Sequence, residues 1–295
     1  MNELQASLLA VGVPDVEAAV AIHALLGSDP ALLAEAGDLP QRLTLVDPWV
    51  KSTFLHPDGP FLERAATAVA DALGEEPTAN LDAILNQITV RPRTVADLRM
   101  TTGLETAEIA AILPDLAEAG LVRPDTNPLD FDNPFWTMDH RFARFAYAMF
   151  ADGHLQRWRR GYITDKLWQM THARFDRYVC RPEFNRLARE WALGDPAAAA
   201  STRIVVPDPR FKQLRTIEIA VWNEEGDPIA FGTVRWKFKM VLNQYKRLRH
   251  VRRLLGDPPT RLYCVAPRVD AALAAETDPD LYLIGPQKLL PRTES

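Results

Sequence analysis

The sequence predicts an α+β multidomain protein with a helical N-terminal part and a C-terminal α/β part. Three observations lead to this prediction. Apolar residues recur at helical spacing through roughly the first 120 residues, a β-hairpin pattern followed by a basic helix occupies residues 214–253, and charge divides sharply along the chain. With 295 residues, of which 47% are hydrophobic, the chain is long enough for two or more buried cores.

The formal net charge of −5 hides the division of charge. Residues 1–130 contain 7 Lys and Arg against 20 Asp and Glu, a net charge of −13, whereas residues 131–295 contain 27 against 19, a net charge of +8. Because nucleic acids are polyanions, any contact with DNA is expected in the second part. The alternative is that the basic part neutralises the acidic part of the same chain.

Composition also excludes several classes of protein. No apolar run approaches the roughly 18–20 residues of a membrane span, and the N-terminus lacks the basic segment of a signal peptide, so we expect a cytoplasmic protein without a membrane partner. The two cysteines, Cys180 and Cys264, have no second Cys or His at metal-ligand spacing. The sequence therefore predicts no disulfide framework, no zinc site and no cofactor.

The first predicted domain, residues 1–73, consists of short helices. Apolar residues repeat at helical spacing over residues 16–26 and 61–73, and loops rich in Asp, Pro and Gly separate the helices. No residue in this segment indicates a chemical function.

Residues 74–126 have the pattern of a winged helix-turn-helix. Thr94 is a good N-cap for the second of three helices, Gly103 supplies the turn after it, and Gly120 ends the third helix just before the apolar start of a wing at Leu121. The expectation from this motif is DNA binding, but the composition of the third helix opposes it.

The third helix would occupy the major groove, yet it carries four acidic residues and no Lys or Arg. Pro114 should also kink or shorten this helix. We therefore expect mainly a structural or protein-contacting role for this domain. If this domain contacts DNA phosphates, we expect a few arginines to do so, above all Arg93 and Arg99 around the second helix.

Residues 127–164 are predicted to be an aromatic-rich helical connector. Its aromatic residues alternate with arginines, including Arg157, and such a mixture can form a base-stacking platform. The helical spacing of Phe142, Phe145 and Met149 instead favours a face that packs against other helices.

The last predicted domain, residues 165–295, has the strand pair and basic helix at its centre. A nuclease of the PD-(D/E)xK type places an Asp on the first strand and a Glu-x-Lys on the second, because carboxylates must hold a divalent cation beside the scissile phosphate. The corresponding residues here are Ala220, Thr233 and Arg235.

From about residue 52 onward, the order of elements resembles the C-terminal half of an archaeal and bacterial family of AAA-type P-loop ATPases. In that family a winged helix and a restriction-endonuclease-like PD-(D/E)xK domain follow the ATPase module. The matching segments are PFL at 60–62, AILNQI at 83–88, TGL at 102–104, GLV at 120–122 and DHRFARFAYAMF at 139–150.

The resemblance implies a restriction-endonuclease-like α/β domain over residues 165–295, with Asn185 where the family has a helical Glu. The chain contains no G-x-x-x-x-G-K-[ST] segment, so it is not the ATPase itself. A P-loop ATPase on another chain is therefore an implied partner.

The altered ligand positions predict a degenerate domain that is not an enzyme. Ala cannot ligate a cation, Thr offers one neutral oxygen, and Arg cannot exchange a proton near neutral pH. Glu218 shares a strand face with Ala220 by the two-residue period and could be a relocated ligand. An ion pair between Glu218 and Arg215 or Arg235 is the favoured interpretation.

Although the metal-ligand positions are altered, the strand pair and the following helix are rich in basic residues. No acidic residue occurs between 228 and 255, and a helix beginning near Met240 places Lys246, Arg249 and Arg253 on one side. The predicted nucleic-acid contacts are Arg93, Arg99, Arg235, Lys237, Lys246, Arg249 and Arg253.

The leading hypothesis is a non-catalytic nucleic-acid-associated or regulatory protein with a winged helix and an inactivated PD-(D/E)xK-like domain. One alternative is a protein-interaction subunit of a separate P-loop ATPase, without DNA affinity. The other is a divalent-metal-dependent DNA nuclease with displaced ligands.

Overall fold

The computed structural model describes residues 2–150 and 164–290. The protein is α+β: a helical N-terminal region is followed by a mixed five-stranded sheet with helices. The chain divides into two compact units. We call residues 13–180 the helical unit, and residues 1–12 together with 181–295 the sheet unit. None of the described helices is both long and apolar enough to cross a membrane.

The first five helices of the chain are short. They are α1 (Glu3–Ala10), α2 (Val16–Leu26), α3 (Pro30–Glu35), α4 (Val46–Phe54) and α5 (Leu62–Leu73). Within the helical unit α2 is central, since every residue of it except Glu17 is buried. Asp15 caps α2 by accepting hydrogen bonds from the amides of Glu17 and Ala18, and it also accepts one from the amide of Leu43. One side chain thus starts the helix and holds the loop beside it.

The next part of the helical unit has three helices and a two-stranded hairpin. They are α6 (Ala79–Val90), α7 (Val95–Thr102), α8 (Thr106–Glu118), β1 (Val122–Asp125) and β2 (Phe135–Met138), and β1 pairs antiparallel with β2. As predicted, Thr94 caps α7, in a capping box with Asp97, and Gly103 ends α7 in the left-handed conformation.

The expected shortening of the third helix is not found, because α8 continues through Pro114. Proline removes the backbone donor that would reach the carbonyl of Ala110. Ala110 is exposed, so water can replace the missing donor. The helix therefore tolerates Pro114 at this surface position.

The described part of the helical unit also contains α9 (Arg141–Met149) and α10 (Thr164–Arg174), the latter continued by a π-helical segment, Phe175–Cys180. As the helical spacing predicts, Phe142, Phe145 and Met149 are buried. Phe54 lies at the centre of an aromatic cluster, with its ring centroid 4.8 Å from that of Phe145 and 4.9 Å from that of Phe61. Arg157 and the rest of the predicted connector from 151 to 163 lie outside the described residues.

The sheet unit contains a mixed five-stranded sheet with helices. Its elements after α1 are α11 (Arg181–Ala192), β3 (Ala200–Asp208), β4 (Gln213–Trp222), β5 (Pro228–Val234), β6 (Lys239–Met240), α12 (Leu242–Leu254), β7 (Arg261–Val265), β8 (Arg268–Val269), α13 (Ala271–Ala274), β9 (Leu281–Ile284) and α14 (Pro286–Leu289). The sheet order is β3-β4-β5-β7-β9, antiparallel through β5 and parallel from β5 to β9. Strands β6 and β8 form a separate parallel pair.

Apolar packing against the sheet explains why both helices form. On α12 the buried residues Tyr245, Leu248 and Val251 belong to the same core cluster as Phe231 of β5. On α11 the ring of Phe184 packs on Trp236 with centroids 5.3 Å apart.

The compact units differ from the domains predicted along the sequence. Helix α1 belongs to the sheet unit, because Asn2 donates to the carbonyl of Glu190 and Gln5 to that of Leu289. The predicted boundaries after residues 73, 126 and 164 all fall inside the helical unit. Phe175 packs on Trp168 and on Phe145, which joins the segment before Arg181 to the helical unit.

Candidate functional site

A pocket of about 290 Å³ lies in the sheet unit, lined by residues of α11, β4, β5, the turn after β5 and α12. Its charged residues are four arginines and one glutamate: Arg181, Arg215, Arg235, Arg247 and Glu218. Thr233 and Gln244 add neutral hydrogen-bonding groups. The pocket therefore has an excess of positive charge and several donors.

Local folding brings these residues together. Strands β4 and β5 pair at Ile219 and Gly232, so the residues one step further, Glu218 and Thr233, lie on neighbouring strands. Gln244 is in the first turn of α12, where its side chain accepts a hydrogen bond from the amide of Val241. Arg247 lies three residues later and therefore on the same helix face.

The side chain of Glu218 has two partners on α11. The Nη2 atom of Arg181 lies 3.2 Å from Oε1 of Glu218, and Nδ2 of Asn185 donates to Oε2 at 3.0 Å. The sequence-based prediction that Glu218 pairs with Arg215 or Arg235 is wrong. Arg215 instead donates to Asp208 at 2.8 Å.

A β-bulge explains this difference. Ala220 pairs with Thr202 and Ile217 pairs with Ile204, so β4 has one more residue than β3 over this stretch. The two-residue alternation is broken, and the prediction that Glu218 and Ala220 share a strand face is wrong. Ala220 is fully buried in the apolar core together with Ile217. Glu218 is the only acidic residue among the described residues that line the pocket.

Arg235 is the predicted contact that lies in the pocket. Burial, and then the nearby guanidinium groups of Arg181 and Arg247, lower the pKa of Arg235 from its ordinary value. Neither Arg235 nor Arg247 forms an ion pair with a carboxylate in the part of the chain that the structure describes. Their charges are therefore available for an anion, and planar guanidinium groups match the oxygens of a phosphate.

The other predicted contacts of the sheet unit lie outside the pocket lining. Lys246, Arg249 and Arg253 are exposed on α12. Arg249 lies over the ring of Tyr245 and 3.8 Å from the carboxylate of Asp278, so its charge is partly compensated within the same unit. Lys237 is half-buried in the turn after β5.

The two predicted contacts of the helical unit differ from each other. Arg93 is only 6% exposed, and its guanidinium donates to the side chain of Gln87, while burial lowers its pKa. Its backbone pairs with Trp136. Arg93 therefore stabilises the fold around β2 and does not present its charge to solvent. Arg99 is exposed on α7.

Sequence reasoning missed three residues of the site: Arg181, Gln244 and Arg247. The signal for Gln244 and Arg247 was present, because both lie on the same helix face as the apolar residues Leu248 and Val251. No sequence pattern marks Arg181, since its position beside Glu218 depends on contact between α11 and β4.

No described part of the chain brings together three or more His, Cys, Asp or Glu side chains that could hold a metal ion. The pocket offers a cation one carboxylate, already bonded to Arg181 and Asn185, and surrounds it with arginines. Comparisons of the chain with protein-family models, curated proteins and solved structures found no match.

Proposed function

We propose that the protein is a non-catalytic nucleic-acid-binding protein. Its sheet unit binds backbone phosphates through the arginine pocket and the exposed basic face of α12. The observation that carries this proposal is the convergence of Arg235 and Arg247 on one pocket, where neither forms an ion pair with a carboxylate of the described residues. A phosphate would relieve the repulsion between these guanidinium groups and accept hydrogen bonds from them.

The proposal includes a degenerate restriction-endonuclease-like identity for the sheet unit. Two of the three motif positions, Thr233 and Arg235, line one pocket together with Glu218 of the paired strand β4, which supports this identity. The third position, Ala220, lies in the apolar core instead. Catalysis is not part of the proposal, because Arg181, Arg235 and Arg247 would repel a divalent cation. The site would thus retain affinity for phosphate without the means to cleave beside it.

The experiment is a titration of labelled duplex and single-stranded DNA at low and moderate salt. Arg235→Gln and Arg247→Gln should each weaken binding about tenfold or more, and each should reduce the slope of log K against log salt by about 1. Lys288→Gln, at an exposed position of α14, is the charge-matched control and should leave both quantities unchanged. Absence of DNA binding, or equal binding by all three variants, would contradict the proposal.

A second measurement addresses the nuclease alternative. Plasmid incubated with Mg²⁺ or Mn²⁺ should remain intact, because the pocket supplies a single carboxylate that Arg181 already neutralises. Cleavage that is lost in Glu218→Ala would show instead that this carboxylate holds a working metal.

We also propose that residues 79–138 form a winged helix used for protein contact. Support comes from the order α6, α7, α8 and the β1–β2 hairpin, with Arg93 bridging to Trp136 beside it. The exposed residues of α8 include Asp115 and Glu118 and no basic residue. This charge disfavours binding of α8 in a DNA groove, which is lined by phosphates. A separate P-loop ATPase is the partner to test. The unaltered protein should co-purify with such an ATPase, and the double variant Asp115→Lys/Glu118→Lys should not. Retention of the ATPase by the double variant would contradict this role.

A further inference from the structure

The turn after β5 has an exposed aromatic ring close in sequence to the arginine pocket. We call residues 235–239, RWKFK, the basic turn. Arg235 lines the pocket, Trp236 is buried on Phe184, and Phe238 is 67% exposed. The ring of Phe238 therefore lies in solvent between two lysines, Lys237 and Lys239, three positions after an arginine of the pocket.

The basic turn is held in place from both sides. Trp236 is 3% exposed, Met240 is fully buried, and Lys239 pairs with Arg268 in the small β6–β8 sheet. Arg268 also donates to the carbonyl of Lys237. Phe238 therefore projects from an anchored support, which reduces the entropy lost when a ligand binds to its ring.

Backbone conformation directs the ring outward. Lys237 has a φ of +58°, in the left-handed region that costs a residue with a side chain about 1–2 kcal/mol. This conformation lets Trp236 pack inward while Phe238, two residues later, points to solvent. Strained positions of this kind concentrate at binding sites.

The ring of Phe238 differs from that of Phe211, the exposed aromatic residue on the β3–β4 turn. Guanidinium groups of Arg210 and Arg215 lie 5.3 Å from the centroid of Phe211, which occupies its faces. In the described parts of the sheet unit, no ring or guanidinium contacts Phe238. The exposed 67% of this residue is therefore available to a ligand.

We propose that the sheet unit binds single-stranded nucleic acid, with Arg235 and Arg247 on a phosphate and Phe238 stacked on an unpaired base. This inference rests on the proposed function. Phe238 is three positions after Arg235 in the chain, so their Cα atoms are at most about 11 Å apart and one nucleic-acid strand can reach both. A base inside a duplex is already stacked on both faces, whereas an unpaired base is free to stack on an aromatic side chain.

A membrane surface is the competing partner for a Phe flanked by lysines. One aromatic ring provides little apolar area, and stable attachment to a bilayer generally needs a larger apolar face or a second anchor. Arg235 and Arg247 match a phosphate on a chain that continues past the pocket to Phe238. Nucleic acid is therefore the partner that the charge and the open ring favour.

The test is fluorescence anisotropy with a labelled single strand of about 16 nucleotides and with the same sequence as a duplex. The unaltered protein should bind the single strand more tightly. Phe238→Ala should weaken single-strand binding about 5- to 100-fold, as expected for one lost stacking contact, and leave duplex binding unchanged. Phe238→Trp should restore single-strand binding, whereas Phe238→Leu, which is apolar without an aromatic face, should not.

Tyr282→Ala is the control for loss of an exposed aromatic ring, because Tyr282 is 44% exposed on the edge strand β9 of the same unit. It should bind both DNAs normally. Circular dichroism should show the same unfolding temperature for the unaltered protein and Phe238→Ala, since the ring is already in solvent.

The outcomes separate this inference from the proposed function. Loss of binding in Arg235→Gln together with unchanged single-strand binding in Phe238→Ala would refute the stacking role and leave the phosphate pocket intact. Equal affinity for single strand and duplex would also refute it. Phe238-dependent binding to phosphatidylserine vesicles without single-strand preference would assign the basic turn to membranes. Failure to bind any DNA would overturn both proposals.

Discussion

At the scale of single residues, two arginines of the same pocket have opposite effects on the stability of the fold. Arg215 neutralises Asp208, whose side chain is fully buried, whereas Arg235 faces other arginines. The same residue type in the same pocket therefore contributes to folding in one case and opposes it in the other. This contrast provides a test of the binding role that needs no ligand.

Arg235→Gln should raise the free energy of unfolding, by about 0.5–1 kcal/mol at low salt, because it removes like-charge repulsion. The gain should shrink as salt screens the remaining charges. Urea unfolding at two salt concentrations measures this effect. Arg215→Gln is the matched control and should lower stability, because it leaves the buried carboxylate of Asp208 without its cation. Destabilisation of both variants would show that Arg235 has a structural partner.

Asp208 should make the free energy of unfolding depend on pH in the acid range. Burial by itself would raise the pKa of Asp208, but hydrogen bonds from Arg215 and His250 and from the amide of Phe211 outweigh it and lower that pKa. A carboxyl with a lowered folded-state pKa stabilises the fold above its unfolded pKa of about 3.9, and this contribution is lost as pH falls through the folded-state value.

Urea unfolding between neutral pH and the acid range measures this dependence. Asp208→Asn should be less stable than the unaltered protein at neutral pH, and the difference should narrow in acid. A constant difference across the range would mean that Asp208 does not titrate on unfolding.

At the scale of elements, β4 and β5 show how local sequence and strand pairing share control of the site. The hairpin pattern predicted the two strands, but the bulge between Ile217 and Ala220 decided which residues face the pocket. A bulge depends on the partner strand β3, and so the two-residue period alone misplaced Glu218.

Gly232 of β5 has little room for a side chain between the neighbouring strands β4 and β7. A Cβ atom there would lie 3.0 Å from Cβ and Cδ1 of Ile219 and 3.1 Å from Cβ of Tyr263, on both neighbouring strands. Gly232→Ala should therefore cost about 1–3 kcal/mol of stability, measured by urea unfolding. Gly285→Ala should cost less, since its Cβ would make only an ordinary contact at 3.5 Å. Equal losses would show that the sheet adjusts to the added methyl group.

At the scale of the whole molecule, the two compact units do not follow the order of the chain. Helix α1 precedes the helical unit in sequence and packs in the sheet unit, through Leu4 and Leu8 and the hydrogen bonds of Asn2 and Gln5. The sheet unit is therefore completed by the two ends of the sequence. Its stability should depend on residues of α1, which are more than 170 positions away from the pocket in the sequence.

Leu8→Ala tests this arrangement. Leu8 is 1% exposed, and loss of its side chain should cost about 2–5 kcal/mol. Hydrogen exchange should show faster exchange in β3, β4 and α12 and little change in α2 and α9. Faster exchange confined to the helical unit would contradict the assignment of α1 to the sheet unit.

The sequence by itself determined the features that depend on neighbouring residues. These are the α+β order, the capped helix α7 with its glycine stop, the apolar face of α9 and the basic composition of residues 228–255. Only the tertiary structure decided that Glu218 binds Arg181, that Arg247 joins Arg235, and that α1 packs beside α11 and α14. The physical reason is range: caps and periodicity act within a few residues, whereas pockets and bulges arise from contacts between segments that are far apart in the chain.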